Sequence, residues 1–300
     1  MSSITAFVAT LSNPINALLA ALAVLTGTYV VGWSKSENGP TLLEVAIGAV
    51  TNFFDSLGIG SFATTTALFR AFKLVPDRVI PGTLNVGHTL PTVAQAFIFT
   101  AVIPVDVVTL ISMIAAAVLG AWLGAGVVAK WPKRKVQIGM GMALLAAAVF
   151  MLMKQLSLFP PGSDEIGVRG ARLAAAIGGN FLLGALMTLG IGLYAPCMIL
   201  VGLLGMSEKT AFPIMMGSCA FLMPVGSLRF IREQSYSLRN ALGLAIGGVF
   251  GSYIAAKFFE SLNIRTVRWL VIVVVIYTAV TMLLSARSEQ TATAAAPAKA

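Results

Sequence analysis

The sequence predicts an all-α polytopic membrane protein with two structural repeats, favoured to be inverted, each with a broken or re-entrant helical hairpin. The 300 residues are 58% hydrophobic and only 10% charged, with a mean hydropathy of +0.91, which is outside the range of ordinary soluble domains. Several charge-free stretches approach the ~20 residues that one helix needs to cross a bilayer. A Leu-Gly-Ile-Gly motif at residues 57–60 recurs at 189–192, 132 positions later (189 − 57). Duplicated glycine breaks inside apolar segments are typical of secondary transporters.

The duplicated motif divides the chain into five parts. Pro81 and Pro213 share the offset of 132 positions (213 − 81), and Asn-Phe pairs at 52–53 and 180–181 precede the two motifs. The predicted parts are a lead transmembrane helix and loop at 1–40, repeat one at 41–153, a linker at 154–171, repeat two at 172–285 and a disordered Ala/Thr-rich tail at 286–300. The lead segment lacks a charged n-region, so we expect it to be retained instead of cleaved as a signal peptide.

The first segment of each repeat has an awkward length for a membrane span. Residues 173–207 are free of charge over 35 positions, whereas one crossing needs ~20 residues and two crossings with a turn need more than ~40. The matching segment at 42–69 is shorter still. Both lengths favour a broken hairpin with the glycine motif at its tip, in contact with protein or a water-filled cavity.

Basic residues constrain the topology without fixing it. If both broken segments are re-entrant, the repeats are inverted and most basic residues share the cytoplasmic side. If the segments cross the membrane instead, the repeats are parallel, and Arg229, Arg232 and Arg239 move to the outside. Positive-inside counting favours the inverted arrangement.

A polar half-helix is predicted to begin after each glycine motif. The first turn of a helix carries unpaired backbone N–H groups and the positive end of the helix dipole. Two such helix ends converging in a dry site would bind an anion without a buried arginine. The alternative is that the glycines only permit close helix packing and the threonines bond back to their own helix. The predicted substrate-binding residues are Asn52, Gly60, Ser61, Thr64, Thr65, Asn85, His88, Gly192, Tyr194 and Cys197.

Two ionisable residues are candidates for proton coupling. Asp55 lies two residues before the first motif, and ionisable residues at such depth are functional candidates by default. The second repeat has Met187 at the matching position, so this acid is not duplicated. His88 is either a proton carrier or substrate donor, or a neutral side chain hydrogen-bonded across helices. Asn85 and Thr92 fall near the same helical face as His88.

Composition excludes several other classes of protein. The net charge of +9 does not indicate nucleic-acid binding, because the basic residues lie at segment ends, where membrane orientation places them. Two cysteines and one histidine make a poor metal-ligand set. We see no buried His/Glu/Asp cluster or Ser/His pair for catalysis. The sequence therefore predicts neither an enzyme nor a bound metal or other cofactor.

The order and duplication of these motifs resemble the TauE/SafE sulfite exporter family of bacterial transporters. The resemblance covers roughly residues 42–285, where each half opens with Asn-Phe and Leu-Gly-Ile-Gly and continues into a polar half-helix and a proline-containing helix. It implies a multi-pass protein of the bacterial inner membrane that exports sulfite or an organosulfonate such as sulfoacetate. The implied partners are a small anionic substrate and membrane lipid, and whether the chain forms a homodimer is left open.

Three other classes remain as alternatives. A passive anion channel would share the positive helix ends but need a continuous pore. A membrane enzyme would turn over a substrate when purified. A structural subunit of a larger complex is weakly supported, because the charged loops are short.

Overall fold

A computed structural model of the chain describes residues 39–57, 59–158, 163–190, 192–207, 209–258 and 264–295. Residues 1–38, most of the predicted lead helix and loop, lie outside this description. Within the described ranges the chain is helical and contains no strand, apart from one isolated bridge between Glu165 and Met206, which confirms the all-α class. The helices are α1 Leu42–Ser56, α2 Ser61–Ala71, α3 Ile80–Val102, α4 Val107–Val128, α5 Lys133–Gln155, α6 Gly170–Met187, α7 Tyr194–Leu203, α8 Ala211–Arg232, α9 Leu238–Phe258 and α10 Ile264–Ala295.

The distribution of polar and apolar side chains is that of a membrane protein. Within the described ranges, four helices are long and apolar enough to cross a bilayer, namely α4, α5 over Lys133–Met153, α6 and α8. Leu119 and Leu123 on α4 are 61% and 60% exposed, whereas Asn52 and Asn180 are fully buried. Lipid covers an apolar surface of this kind, and polar groups in a membrane protein face the interior of the bundle.

Both predicted hairpins are broken at the glycine motifs. The first break separates α1 from α2 and contains Gly60, whose φ is +92°. The second separates α6 from α7 and contains Gly190, whose φ is +93°. Glycine adopts this left-handed backbone conformation without the steric penalty that other residues meet. The repeated glycines therefore end one helix and allow the next to start at the same depth.

Each broken hairpin packs against a long helix from the other half of the chain. On α9, a methyl group added to Gly247 or Gly251 would overlap the backbone oxygen of Val45 or Ala49 on α1. On α6, a methyl group added to Gly184 would overlap the backbone of Ala117 on α4. Backbones approach this closely only where small residues line the interface, as in many membrane helix pairs. The glycines thus join α1 to α9 and α6 to α4.

The remaining long helices form the centre and one side of the bundle. α3 and α8 pack against each other, and each carries an internal proline, Pro91 and Pro224. α10 packs against α5. α10 continues to Ala295 and so runs into residues 286–300, for which the disordered tail stays a prediction. Alanine has the highest helix propensity, so the Ala-rich segment extends the helix.

The linker follows α5 in the chain, and its described part, residues 163–169, forms hydrogen bonds to the start of α4 and to the segment just after α7. Asp106, the residue before α4, donates its N–H to Ile166 O at 2.9 Å, and Ser207 N–H donates to Glu165 O at 2.8 Å. Both Arg169 Nη atoms donate to the Asp106 carboxylate, at 2.6 and 2.7 Å. Hydrogen bonding from Arg169 holds the pKa of Asp106 well below its ordinary value and raises that of Arg169.

Candidate functional site

The tips of the two hairpins meet at a small buried cavity. Its volume is about 10 Å³, enough for about one water molecule. A second cavity of about 20 Å³ shares Phe62, Gly192 and Tyr194 with the first and is also lined by Gly60. The starts of α2 and α7 therefore face one buried space. The first cavity is lined by Asp55, Ser61, Phe62, Thr92, Met187, Gly192, Leu193, Tyr194 and Cys219.

A carboxylate already occupies the N-terminus of α2. Asp55 Oδ1 accepts the backbone N–H of Ser61, the first residue of α2, at 2.6 Å. Its Oδ2 accepts from Gln95 Nε2 at 3.0 Å. Asp55 is only 3% exposed, so these donors replace the water that would otherwise solvate it. Any other anion at this helix end must compete with the Asp55 side chain.

Gln95 on α3 connects the two hairpin tips. Besides its bond to Asp55, its Nε2 donates to Ser252 Oγ on α9 at 3.0 Å. The Tyr194 hydroxyl, at the start of α7, donates to Gln95 Oε1. One fully buried side chain thus links α1, α3, α7 and α9. Sequence reasoning did not select Gln95 as a site residue, although it lies seven positions after His88 and so on the same face of α3.

His88 forms a second polar cluster one to two turns before Gln95. Its Nδ1 lies 3.0 Å from Asn52 Nδ2 and 3.1 Å from Asn52 Oδ1, and its Nε2 lies 3.0 Å from Thr65 Oγ1. A neutral imidazole has one donor and one acceptor nitrogen, so it satisfies both neighbours. The Phe62 ring packs beside it, with ring centroids 5.6 Å apart. The structure therefore brings together Asn52, Thr65 and His88, as a bridge between α1, α2 and α3.

Six of the ten predicted binding residues line neither of these cavities. Asn52, Thr65 and His88 form the cluster described above, and the other three are Thr64, Asn85 and Cys197. Thr64 Oγ1 bonds back to Gly60 O and Ser61 O, at 3.2 and 2.9 Å. Asn85 Nδ2 donates to Pro81 O one turn earlier, at 2.8 Å. Cys197 is buried inside α7. The back-bonding alternative thus describes Thr64, and Cys219 is the cysteine that reaches the first cavity.

The second hairpin has a polar contact of its own. Asn180 Nδ2 on α6 donates to Met113 O on α4 at 2.7 Å and to Ser218 Oγ on α8 at 2.9 Å. Asn52 on α1 similarly bridges to α3 through His88. In both hairpins the asparagine of the Asn-Phe pair therefore anchors the first helix to a long neighbouring helix.

The polar lining of the first cavity combines two helix N-termini with hydroxyl groups and one carboxylate. The hydroxyl groups belong to Ser61, Thr92 and Tyr194, and the carboxylate belongs to Asp55. Unpaired N–H groups at helix N-termini bind oxyanions. Among the described residues, His, Cys, Asp and Glu form no group that would hold a metal ion.

Comparison of the chain with models of protein families, with curated proteins and with solved structures finds no match. The described helices and the cavity define an all-helical membrane protein with a polar site where the two hairpin tips meet.

Proposed function

We propose that the protein is a secondary transporter that moves a small sulfur-containing anion, such as sulfite or an organosulfonate, across the bacterial inner membrane. The observation that carries the proposal is that α2 and α7 both begin at one buried polar cavity. Helix N-termini in discontinuous membrane helices are recurrent binding sites for anionic substrate groups. The three oxygens of a sulfite or sulfonate group suit several N–H and hydroxyl donors at once. The motif resemblance to sulfite exporters supports this substrate class.

The two halves are proposed to be inverted repeats. At one end of the bundle, Arg70 near the end of α2 lies 3.6 Å from Asp77 just before α3. At the other end, Arg172 on α6 lies 3.5 Å from the backbone oxygen of Leu204 just after α7. Glu44 at the start of α1 lies 3.3 Å from Arg239, and Ser237, just before α9, donates to Thr83 Oγ1 near the start of α3 at 2.9 Å. These contacts support a first hairpin that returns to the end where it started, and in the proposed arrangement the two hairpins start from opposite ends of the bundle. The pairing of α1 with α9 and of α6 with α4 is the exchange expected of two related halves.

The small volume of the central cavity supports a transporter over a passive channel. A channel conducts through a continuous pore, whereas the central cavity here has room for about one water molecule. Substrate binding then requires the hairpins to move apart. In the proposed cycle, one half moves against the other and opens the cavity first to one side and then to the opposite side.

Asp55 is the proposed site of coupling to protons. Its carboxylate accepts the first N–H of α2, where the substrate would bind. Two negative charges in one buried site repel strongly. Binding of the anion is therefore favoured when Asp55 is protonated or has turned away from α2. Exchange of Asp55 for Asn removes this charge, and we expect transport to lose much of its pH dependence.

Transport by purified protein in proteoliposomes tests the proposal, with sulfite, sulfoacetate, taurine, sulfate and chloride compared as substrates. Gly192→Val fills the cavity, yet a Cβ at this position meets no atom within 4 Å, so the fold should survive. We expect transport by this variant to fall to background. Gly202→Val on α7, the helix that follows Gly192, is the matched control, because Gly202 also has open space around it but does not line the cavity.

Gly192 is a better position for this test than Gly60. At Gly60 the φ of +92° strains any L side chain, so a loss of transport there would mix backbone strain with filling of the site. Wild-type transport by Gly192→Val would show that the cavity is not the substrate site. A wild-type protein that prefers none of the sulfur anions would remove the substrate class.

A further inference from the structure

A third cavity, larger than the two at the hairpin tips, lies away from them between α2 and α10. Its volume is about 480 Å³, within the range of ~300–1,000 Å³ that is typical of small-molecule sites. Ala67, Arg70 and Ala71 of α2 form one wall, and Thr278 and Thr281 of α10 form part of the other. We call this cavity the Arg70 groove. The transport site proposed above does not include it.

Arg70 is the charged residue of the groove, and its hydrogen bonds are incomplete. Its Nε lies 3.6 Å from Asp77 Oδ1, a long contact for an ion pair. Its Nη2 donates to Ser285 Oγ at 3.1 Å, and its Nη1 is buried without a hydrogen-bond partner. The other oxygen of Asp77 accepts from Gln137 Nε2 at 2.8 Å, so this carboxylate is shared. The guanidinium thus keeps positive charge and unused donors next to an open groove.

The surrounding charge favours an anion in this groove. Lys73 and Arg78 are exposed in the turn between α2 and α3, and Arg134 Nε lies 3.4 Å from the backbone oxygen of Ala286 on α10. Clustered basic groups raise the local concentration of anions and speed their association. A planar guanidinium with several N–H donors also matches the oxygens of sulfonate, sulfate and phosphate groups better than an ammonium does.

One face of α2 connects the groove with the hairpin tips. Gly60 and Ala63 line the second small cavity, and Ala67 and Ala71 line the groove. These four residues follow each other at intervals of three or four positions, so they lie along one side of the helix. The two cavities therefore lie along the same side of α2.

We propose that the Arg70 groove is a second binding site, selective for a small oxyanion that accepts hydrogen bonds from the Arg70 guanidinium. When Arg70 turns toward the groove, the bound oxyanion becomes the acceptor that its buried Nη1 lacks. The ligand is either a free sulfur oxyanion or the headgroup of an anionic lipid, which present the same chemistry. If the ligand is the free anion, the groove is the site through which it enters the central cavity. Only this role as an entry site rests on the proposed function.

Selective labelling of one cysteine in the groove tests the site without any transport measurement. Both native cysteines are buried, so Thr281→Cys in the full chain supplies one reactive thiol. The probes are two methanethiosulfonate reagents, one with a sulfonate group and one with a trimethylammonium group. We compare their labelling rates with those for a small thiol in solution. We expect the anionic reagent to be favoured in the groove, and Arg70→Gln to reduce that preference by about tenfold, the effect of losing one charged hydrogen bond.

Arg78→Gln is the matched control, because it removes one positive charge from the same end of the bundle outside the groove. We expect it to change the preference by less than about twofold, since exposed charges are screened by salt. Equal effects of Arg70→Gln and Arg78→Gln, or no preference for the anionic reagent, would overturn the proposal. If Arg70→Gln does not fold, competition in the otherwise native background replaces it. Inorganic sulfate should then slow anionic labelling more than chloride at equal ionic strength, and equal slowing refutes the site.

Labelling in two kinds of lipid distinguishes a lipid headgroup from a free anion as the ligand of the groove. In nanodiscs of phosphatidylglycerol, protection of the cysteine relative to nanodiscs of phosphatidylcholine supports the site with a lipid headgroup as its ligand. A preference for the anionic reagent that is equal in both lipids supports it with the free anion as its ligand. The labelling rates do not depend on Gly192, whereas the transport assay of Gly192→Val tests the central cavity. Failure of the proposed transport site and failure of the proposed groove site therefore give different results.

Discussion

Replacement of Gln95 by leucine should loosen the connection between the two hairpin tips. The side chain is fully buried and makes three hydrogen bonds, to Asp55, Ser252 and Tyr194, which lie on three different helices. Leucine has a similar size but neither donates nor accepts, so all three partners lose a neighbour. The substitution therefore removes polar contacts while largely preserving packing.

The expected loss follows from the number of bonds and their environment. In water-soluble proteins the two neutral bonds and the one to a carboxylate would together contribute about 3–5 kcal/mol. Hydrogen bonds between membrane helices contribute less, on average about 0.6 kcal/mol each, because the unfolded chain in the membrane also finds partners. We therefore expect a loss of about 2 kcal/mol in the free energy of unfolding, or about thirtyfold in the equilibrium constant.

Unfolding in mixed micelles with increasing sodium dodecyl sulfate measures this difference. Thr89→Val is the control on the same helix, because Thr89 is also fully buried but donates only to Asn85 O one turn earlier. We expect this control to lie within about 1 kcal/mol of the wild type. If Gln95→Leu is as stable as Thr89→Val, Gln95 does not hold the tips together. Transport by Gln95→Leu should also fall, since the closed state would no longer be held.

Two further predictions concern packing and the linker. Gly184→Ala should lower the free energy of unfolding in the same assay, because a methyl group at Gly184 overlaps the Ala117 backbone. Gly178→Ala should not, because Gly178 has open space around it. If both variants lose the same stability, the close packing of α6 on α4 is refuted. Arg169 lowers the pKa of Asp106 in the folded state, so the pair stabilises the linker fully above the ordinary carboxyl pKa of ~3.9 and loses this effect as the pH falls through the lower folded value. A spin label on the linker should therefore become more mobile in acid, and in Asp106→Asn it should be mobile at every pH; a label that stays equally immobile in acid would contradict the role of this pair.

The sequence predicted the fold class and the helix breaks because both depend on local chemistry. Long apolar stretches can only be membrane helices, and a glycine motif inside such a stretch interrupts it. The same local reasoning could not predict that Gly247 and Gly251 would meet α1, since nothing near them in the chain indicates their partner. An Ala/Thr-rich composition such as that near Ala295, where α10 ends, fits both a helix and a disordered tail, so the sequence alone does not predict where this helix ends.

For the cavity at the hairpin tips, the sequence predicted its position along the chain better than the side chains that line it. Ser61, Gly192 and Tyr194 line the cavity because they immediately follow a predicted break. Gln95 was missed because its importance comes from partners on three other helices, which have no signature near it in the chain. Thr64 was selected for its position after the break, but its hydroxyl bonds back to its own helix. In a helix, whether a side chain faces the cavity depends on a single step along the chain.

The close contact between α1 and α9 has a consequence for how the protein is made. α9 begins at Leu238, 182 positions after α1 ends at Ser56 (238 − 56), so the ribosome releases α1 long before its partner exists. Glu44 on α1, only 3% exposed, meets Arg239 at 3.3 Å only when α9 has arrived. α6, in contrast, enters a membrane that already contains α4. Assembly of the first hairpin is therefore completed late, after the chain has been translated and inserted as far as α9.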